Sequence, residues 1–323
     1  MYSDPNSVKR IASIGAGPIG GGWTAHFLAR GYDVTAYLHD KSEENSFISI
    51  LKTAWVSLTE LGLAQGASMD RLRIVTDLKE ALEGADFVQE SGPERLEIKQ
   101  QLYSEMGKIL PRSIIIGSST SGLMMSDIQS DCSTPERTVI GHPFNPPYLL
   151  PLVEIAGGKK TASEAVAWAG EFYKAAGKAP LMMKKEIPGF VATRLQEALW
   201  REALHMVAND EATPEDIDNA LMNGPGPRMA AQGQCMAFHV ACGTGGMLLE
   251  CVDHLKHNKE DFRTLKLYGQ EKNLTSSSIA RMNMFLHGIE DFQILRGDTL
   301  RDPAFFRADG LQTYDCVIAN PPF

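Results

Sequence analysis

Three residues in the run Gly141–Glu154, GHPFNPPYLLPLVE, have side chains suited to moving and steadying a proton. His142 is the chain's best candidate for a general base, because the ordinary pKa of an imidazole lies nearest neutral pH. Glu154 follows Leu152 and Val153, which read as a buried strand edge, and a carboxylate there can accept the second ring N–H of His142. Such a bond fixes the imidazole tautomer and raises its basicity. Asn145 places an amide donor three residues beyond the base, while Pro143, Pro146 and Pro147 exclude a helix and stiffen the loop. The competing reading is a proline-rich loop around a hydrogen-bonded histidine.

A second chemical signal lies near the N-terminus. Arg10–Ile14 is a short apolar strand candidate, and Gly15-Ala16-Gly17-Pro18-Ile19-Gly20 follows at once. Residues 21–30 then read as a helix with an apolar face, stopped by Gly31. G-x-G-x-x-G between a strand and a helix is the setting in which this pattern binds a dinucleotide. The glycines allow the tight turn and the approach of a pyrophosphate, and the helix N-terminus supplies N–H donors and positive potential. Gly15, Gly17, Pro18, Ile19 and Gly20 are therefore the expected cofactor contacts. The next strand, Asp33–Leu38, should end in an acid for the ribose hydroxyls. Leu38 occupies that place, and Asp40 is the candidate instead, twenty residues after Gly20. No arginine stands there to hold a 2′-phosphate, which favours NAD over NADP.

The elements that must carry these groups are legible in outline. Residues 42–63 read as a long helix with Phe47, Ile48, Leu51, Trp55, Leu58 and Leu61 at helical spacing, which is ordinary packing. Ile74-Val75, Phe87-Val88 and Ile114-Ile115-Ile116 are further strands. Glu90 ends the Phe87-Val88 strand, on the side where open α/β sheets bind ligands. The loop 117–122, GSSTSG, ends the next strand; its hydroxyls can bind a substrate oxygen or simply cap a helix. Residues 184–222 read as mostly helical, starting after Pro188-Gly189, with an N-cap at Thr213, and Asn223-Gly224-Pro225-Gly226-Pro227 breaks the helix.

At 323 residues the chain has room for two or three domains. Its hydrophobic fraction of 43% supports real cores and is too low for a membrane protein, and no signal-peptide pattern opens it. Cys132, Cys235, Cys242, Cys251 and Cys316 form neither a CxxC pair nor a disulfide framework, which predicts a reducing cytoplasm and no metal site. The formal charge of −9 argues against non-specific nucleic-acid binding.

Taken together, GAGPIGGGW, QESGPERLEIK, GSSTSGLMMSDIQ, GHPFNPPYLLPLVEI and IPGFVATRLQEALWREAL resemble the L-3-hydroxyacyl-CoA dehydrogenase superfamily. The match over about 8–240 is closest to its carnitine and gulonate dehydrogenase branch. The resemblance implies an α/β fold with a Rossmann dinucleotide-binding domain over 1–184, a truncated helical domain over 185–240, and NAD-dependent oxidation of a 3-hydroxyl. It gives His142 the role of base and Glu154 that of orienting acid. Ser121 and Asn145 become contacts to substrate or carbonyl oxygen, and Glu90 a cofactor-side acid. Thr193 stands where the family has an asparagine. L-carnitine is the implied substrate, with L-gulonate or a 3-hydroxyacyl-CoA as alternatives, and a homodimer is the implied assembly. A trimethylammonium group would want an aromatic wall, for which Phe144, Tyr148, Trp200 and Phe238 are candidates equally suited to plain core.

From Ala241 onward the chain changes character. CGTGGMLLECVDHL, LKLYGQEKNLTSSSIARMNMFLHGI, ILRGDTL and YDCVIANPPF resemble the core of type I restriction-modification N6-adenine methyltransferases. That resemblance implies a partial Rossmann-like unit over 241–323 binding S-adenosylmethionine. Gly243 and Gly245 would form the glycine loop, Glu271 would take the ribose and Asp298 the adenine, and Asn320 and Phe323 would hold a flipped base. The later strands of such a unit lie beyond Phe323, and nine Lys and Arg stand against eleven Asp and Glu over 241–323, so no DNA methylation is expected. The abrupt join points to a fusion, a recombination or an assembly error. It leaves two alternatives to a working dehydrogenase: a methyltransferase fragment, or an inactive chimera that binds NAD at most.

Overall fold

The computed structural model describes residues 2–231, 245–258, 261, 265–272, 274–298, 301–307, 310–314 and 316. The chain divides into two compact units, 1–201 and 202–323.

The first unit is built on one eight-stranded sheet. Its strands are β1 (Arg10–Ile14), β2 (Asp33–Tyr37), β3 (Leu72–Val75), β4 (Phe87–Glu90), β5 (Ile115–Ser118), β6 (Thr138–Pro143), β7 (Leu152–Gly157) and β8 (Ala179–Met182). The spatial order is β3-β2-β1-β4-β5-β6-β7-β8. β1 to β6 are parallel, β7 runs antiparallel to β6, and β8 is parallel to β7. Both faces of the sheet are covered, and the alternation along each strand shows why. Ile11, Phe87, Ile115 and Val139 point into one core with Trp23, Phe27, Trp168 and Phe172. Their successors Ala12, Val88, Ile116 and Ile140 point into the other, with Tyr103 and Met106. A parallel sheet buried on both sides requires such nearly continuous apolar strands.

This order places the switch point at β1, whose chain neighbour β2 lies on one side while β4 lies on the other. Open α/β sheets bind ligands outside the carboxyl ends of strands at such a point. The reversal at β7 has its own consequence. Because β6 ends and β7 begins at that same edge, the register pairs His142 with Glu154.

The helix after β1, Pro18–Ala29, is buried along nearly its whole length between sheet and neighbours. The helix predicted over 42–63 spans Glu44–Leu61. In the region predicted as mostly helical, 184–191 is turn and irregular chain, and helices follow over Ala192–Ala208 and Pro214–Asn223. Thr213 caps the second of these, accepting from Asp216 N–H. The predicted break at Gly224 is there, but a short helix resumes at once over Pro225–Ala231. Both its prolines lie in the first turn, where their missing N–H groups have no intrahelical acceptor in any case.

In the second unit, strands Leu267–Glu271 and Phe292–Arg296 pair in parallel. With helices Gly246–His257 and Leu274–Leu286 they bury a small core of Leu248, Val252, Leu267, Ala280, Met284, Ile289 and Ile294. No helix among the described residues is long and apolar enough to cross a membrane.

Candidate active site

The glycine loop adopts the predicted strand, turn and helix. Gly15 sits at φ +119, a left-handed conformation that disfavours any side chain, and its N–H donates to Tyr37 O at 3.0 Å. A Cβ on Gly20 would lie 2.1 Å from Gly15 O, so the helix can approach the strand this closely only without one. Gly17 differs: a Cβ there would meet no atom within 4 Å. The loop is thus packed from behind at Gly15 and Gly20 and open in front at Gly17. Pro18 occupies the first helical turn, where Ile19 and Gly20 present N–H groups that have no intrahelical acceptor. This is a cradle that a pyrophosphate fits. Asp40 lies just past β2 and is exposed; its Oδ1 accepts the Ser42 N–H at 2.7 Å, capping a short 3-10 turn. The Ser42 hydroxyl and N–H hold its carboxyl below the usual carboxylate range.

His142 and Glu154 face each other across the β6–β7 ladder, with Nδ1 and Oε2 2.9 Å apart. His142 is 6% exposed and Glu154 fully buried. The other carboxylate oxygen, Oε1, accepts from Val191 N–H at 2.8 Å and Ala192 N–H at 2.9 Å, where the Ala192–Ala208 helix begins. Burial by itself pushes the Glu154 carboxyl up. The bond from His142 and the two backbone donors outweigh burial and hold the group below its ordinary value. An ionised carboxylate only accepts, so Nδ1 carries a ring proton, and it is Nε2, on the far side of the ring, that offers a lone pair when the imidazole is neutral. That arrangement suits a general base.

Sequence reasoning missed what fixes this pair from the other side. Phe190, fully buried, packs its ring 5.2 Å from the His142 ring, and Phe144 lies edge-on at 5.8 Å. Phe190 has φ 49, a left-handed backbone that is uncommon for an aromatic residue. With Gly189 at φ 70, it turns the chain so that the next two N–H groups reach Glu154. The Pro188-Gly189-Phe190 run was visible in the sequence, but only as the start of a helix.

Ser121 is exposed in the loop after β5, and Asn145 is exposed in the loop after β6. Both loops leave the same sheet edge as His142. A carboxylate not singled out from the sequence orders the first loop. Glu94 Oε1 accepts from Thr120 Oγ1 at 2.5 Å, Ser121 N–H at 2.9 Å and Gly122 N–H at 3.1 Å. Burial raises its pKa, and the Thr120 bond, Lys99 and the backbone donors together bring it below the ordinary value.

Glu90 does end β4, but its side chain is fully buried. Oε1 accepts from Lys99 Nζ and Gly92 N–H, each at 2.6 Å, and Oε2 from Ser118 Oγ at 2.6 Å. It braces the Ser91-Gly92 turn from inside. Behind it, the Tyr173 hydroxyl donates to Gln89 at 2.6 Å, which requires glycines at 117 and 141; a Cβ on Gly141 would stand 1.9 Å from that oxygen.

Of the residues tied to S-adenosylmethionine, Gly245 caps the helix Gly246–His257 at φ +84. Glu271 ends its strand and is 5% exposed. Asp298 lies two residues beyond the next strand, with Lys272 Nζ at 3.0 Å. Gly243, Asn320 and Phe323 lie outside the described residues, as does Phe238.

Comparison with known proteins agrees with this fold. Residues 10–187 match the family profile of the 3-hydroxyacyl-CoA dehydrogenase NAD-binding domain. Residues 213–323 match that of N-6 DNA methylase, beginning upstream of the change of character at Ala241. An L-carnitine dehydrogenase of Streptomyces coelicolor is 52% identical over 252 residues, covering 78% of this chain and 79% of that protein. One of Pseudomonas aeruginosa is 46% identical over 240 residues, 74% of this chain and 75% of the relative. Among solved structures, 5-formyl-3-hydroxy-2-methylpyridine 4-carboxylic acid 5-dehydrogenase, an NAD+-dependent dismutase, superposes with a TM-score of 0.69 at 28% identity. The match covers 88% of this chain and all of that one.

Proposed function

The chain belongs to the 3-hydroxyacyl-CoA dehydrogenase family, and from that premise we propose that it oxidises the 3-hydroxyl of L-carnitine to 3-dehydrocarnitine with NAD. The observation that carries the reading is the buried His142–Glu154 pair, at the sheet edge from which the glycine loop also projects. The identity of 46–53% to several L-carnitine dehydrogenases directs the choice of substrate.

The chain's own residues divide the work. His142 Nε2 accepts the hydroxyl proton. Glu154, held ionised by three donors, steadies the imidazolium that results. Ser121 and Asn145 donate to the substrate oxygen and fix the carbon for transfer. Gly15, Gly17, Pro18, Ile19 and Gly20 cradle the pyrophosphate of NAD, and Asp40 takes its ribose hydroxyls. NAD, when bound, supplies the hydride acceptor. Glu90 serves the cofactor side indirectly, by holding the turn at Ser91-Gly92.

The same reading makes the protein a cytoplasmic homodimer. The helix Ala192–Ala208 supports the dimer, since Leu195, Leu199 and Trp200 are 64, 47 and 57% exposed on it. S-adenosylmethionine stays a weak second ligand, for residues 241–323, with no DNA substrate.

The test is NADH formation by the purified chain with L-carnitine, L-gulonate and 3-hydroxybutyryl-CoA in turn. Turnover of L-carnitine that His142→Ala abolishes, with NAD affinity retained, is the expected result. Turnover that survives His142→Ala removes the base assignment. A folded chain that binds NAD and oxidises none of the three refutes the dehydrogenase reading.

A further inference from the structure

Lys178 lies in the turn before β8 and is 7% exposed. Its ammonium has no carboxylate partner among the described ion pairs. Burial pulls its pKa down to about 8, with Arg30 adding to the effect. A buried cation without a counter-ion is costly unless other groups solvate it. Three groups do so here. Nζ donates to Pro147 O, donates to Leu150 O at 3.2 Å, and stands 5.1 Å over the centre of the Trp23 ring. The first two belong to the loop that carries Asn145.

Trp23 carries the connection further. Its Nε1–H donates to Ser119 Oγ at 3.1 Å, and the same hydroxyl meets Ser91 Oγ at 2.8 Å and Gln89 Nε2 at 2.9 Å. Ser119 begins the loop that carries Ser121. The helix bearing Trp23 also touches the first loop directly, because a Cβ on Gly22 would lie 2.8 Å from Pro147 Cδ. One ammonium and one indole thus span the two loops that carry Asn145 and Ser121.

Resting on the proposed dehydrogenase reading, we propose that Lys178, seated on Trp23, is a positioning residue that holds the loop 145–150 in register with the loop 119–122. Neither residue touches substrate; each acts through the loop it holds. The clamp is local to the hydroxy-acid side. The groups that Lys178 holds, Pro147 O, Leu150 O and the Trp23 ring, lie outside the pyrophosphate cradle at Gly15–Gly20, where Gly20 packs on Gly15 and Gly15 on the Ser91-Gly92 backbone.

Two measurements decide it, on the full chain. The first is amide hydrogen exchange at Leu149 and Leu150, whose N–H groups donate to Pro146 O within the clamped loop. The second is a comparison of KM for the hydroxy acid, KM for NAD and kcat. Lys178→Met should speed exchange at both amides by at least about tenfold. It should raise KM for the hydroxy acid by a similar factor while KM for NAD stays within about twofold, and Lys178→Arg, which keeps charge and donors, should recover most of both. Trp23→Phe keeps an aromatic face and loses the bond to Ser119 together with part of the packing of a fully buried ring. It should give the same selective rise in KM and keeps the test open if Lys178→Met does not fold. Unchanged exchange in Lys178→Met overturns the clamp whether or not the chain turns over. So does a rise in both KM values together, or a Trp23→Phe enzyme with wild-type KM. A wild-type chain that oxidises nothing sinks the dehydrogenase reading instead, and leaves the exchange result to decide the clamp.

Discussion

Glu154→Gln probes the proposed chemistry most directly, because the two carboxylate oxygens have different partners. Oε1 accepts two backbone N–H groups at 2.8 and 2.9 Å, and Oε2 accepts from His142 Nδ1 at 2.9 Å. An amide has one accepting end and one donating end. Turning its NH2 toward Val191 and Ala192 would leave buried donors facing donors, at about 1–3 kcal/mol for each unsatisfied group. With two such groups the opposite orientation is favoured by at least about 2 kcal/mol, roughly 30-fold. The amide NH2 then faces Nδ1, which accepts only if the ring proton has moved to Nε2. The nitrogen that should receive the substrate proton is already protonated. The expected outcome is a fall in kcat of about 10³- to 10⁴-fold, the scale found when a base is held in the wrong tautomer. KM for NAD and Tm should stay close to wild type, since shape and the two backbone bonds are kept. Steady-state NADH formation gives the rate, and the ¹⁵N spectrum of labelled histidine shows which ring nitrogen holds the proton. A kcat within tenfold of wild type, or an imidazole that keeps its proton on Nδ1, refutes the reasoning.

Gly17→Ala should leave Tm unchanged, because the new Cβ meets no atom, yet weaken NAD binding at least about tenfold by calorimetry, or about 1.4 kcal/mol. Wild-type NAD affinity in that variant would show that the pyrophosphate does not sit on this loop. Burial, with Lys178 adding, lowers the pKa of His26 from 6.5 to about 3, and its Nε2–H donates to Ala176 O at 2.8 Å. The folded form resists protonation, so this contribution is intact above pH 6.5 and is lost as pH falls toward 3. The loss approaches about 1.4 kcal/mol per pH unit. His26→Gln should therefore flatten the acid side of a denaturation series between pH 6 and 4, and an unchanged slope there would assign the loss to other groups. Lys99→Met leaves the buried Glu90 carboxylate without its cation at 2.6 Å and should cost about 3–5 kcal/mol in urea unfolding. A loss under about 1 kcal/mol would mean that the hydroxyl and N–H donors to Glu90 suffice alone.

Much of this protein is written in short-range pattern. A strand, G-x-G-x-x-G and a buried helix lie within twenty residues, and local backbone rules make that unit the same wherever it folds. The apolar runs at Arg10–Ile14 and Phe87-Val88 mark strands in the sequence, and the folded sheet sends Ile11 and Phe87 into one core and Ala12 and Val88 into the other. His142 and Glu154 could be paired from the sequence because a hairpin-like reversal joins their strands, and antiparallel register then sets them opposite each other. Tertiary structure decided everything that depends on which strands become neighbours. Ser121 lies 27 residues from Glu94, and Lys178 lies 31 residues from Pro147; sheet order alone brings them together. Glu90 read as an acid at the ligand edge, but only the packing of the 96–109 helix, which delivers Lys99, reveals it as a buried brace. The second oxygen of Glu154 follows the same logic. Its partners at Val191 and Ala192 lie beyond β8, and the turn that aims them uses a left-handed Phe190 that no propensity rule would have put there. Sequence determined the kinds of groups and the local frames that hold them. The long-range fold determined which of those groups face substrate and which hold others in place, because contact between distant residues is a property of the sheet and not of the spacing.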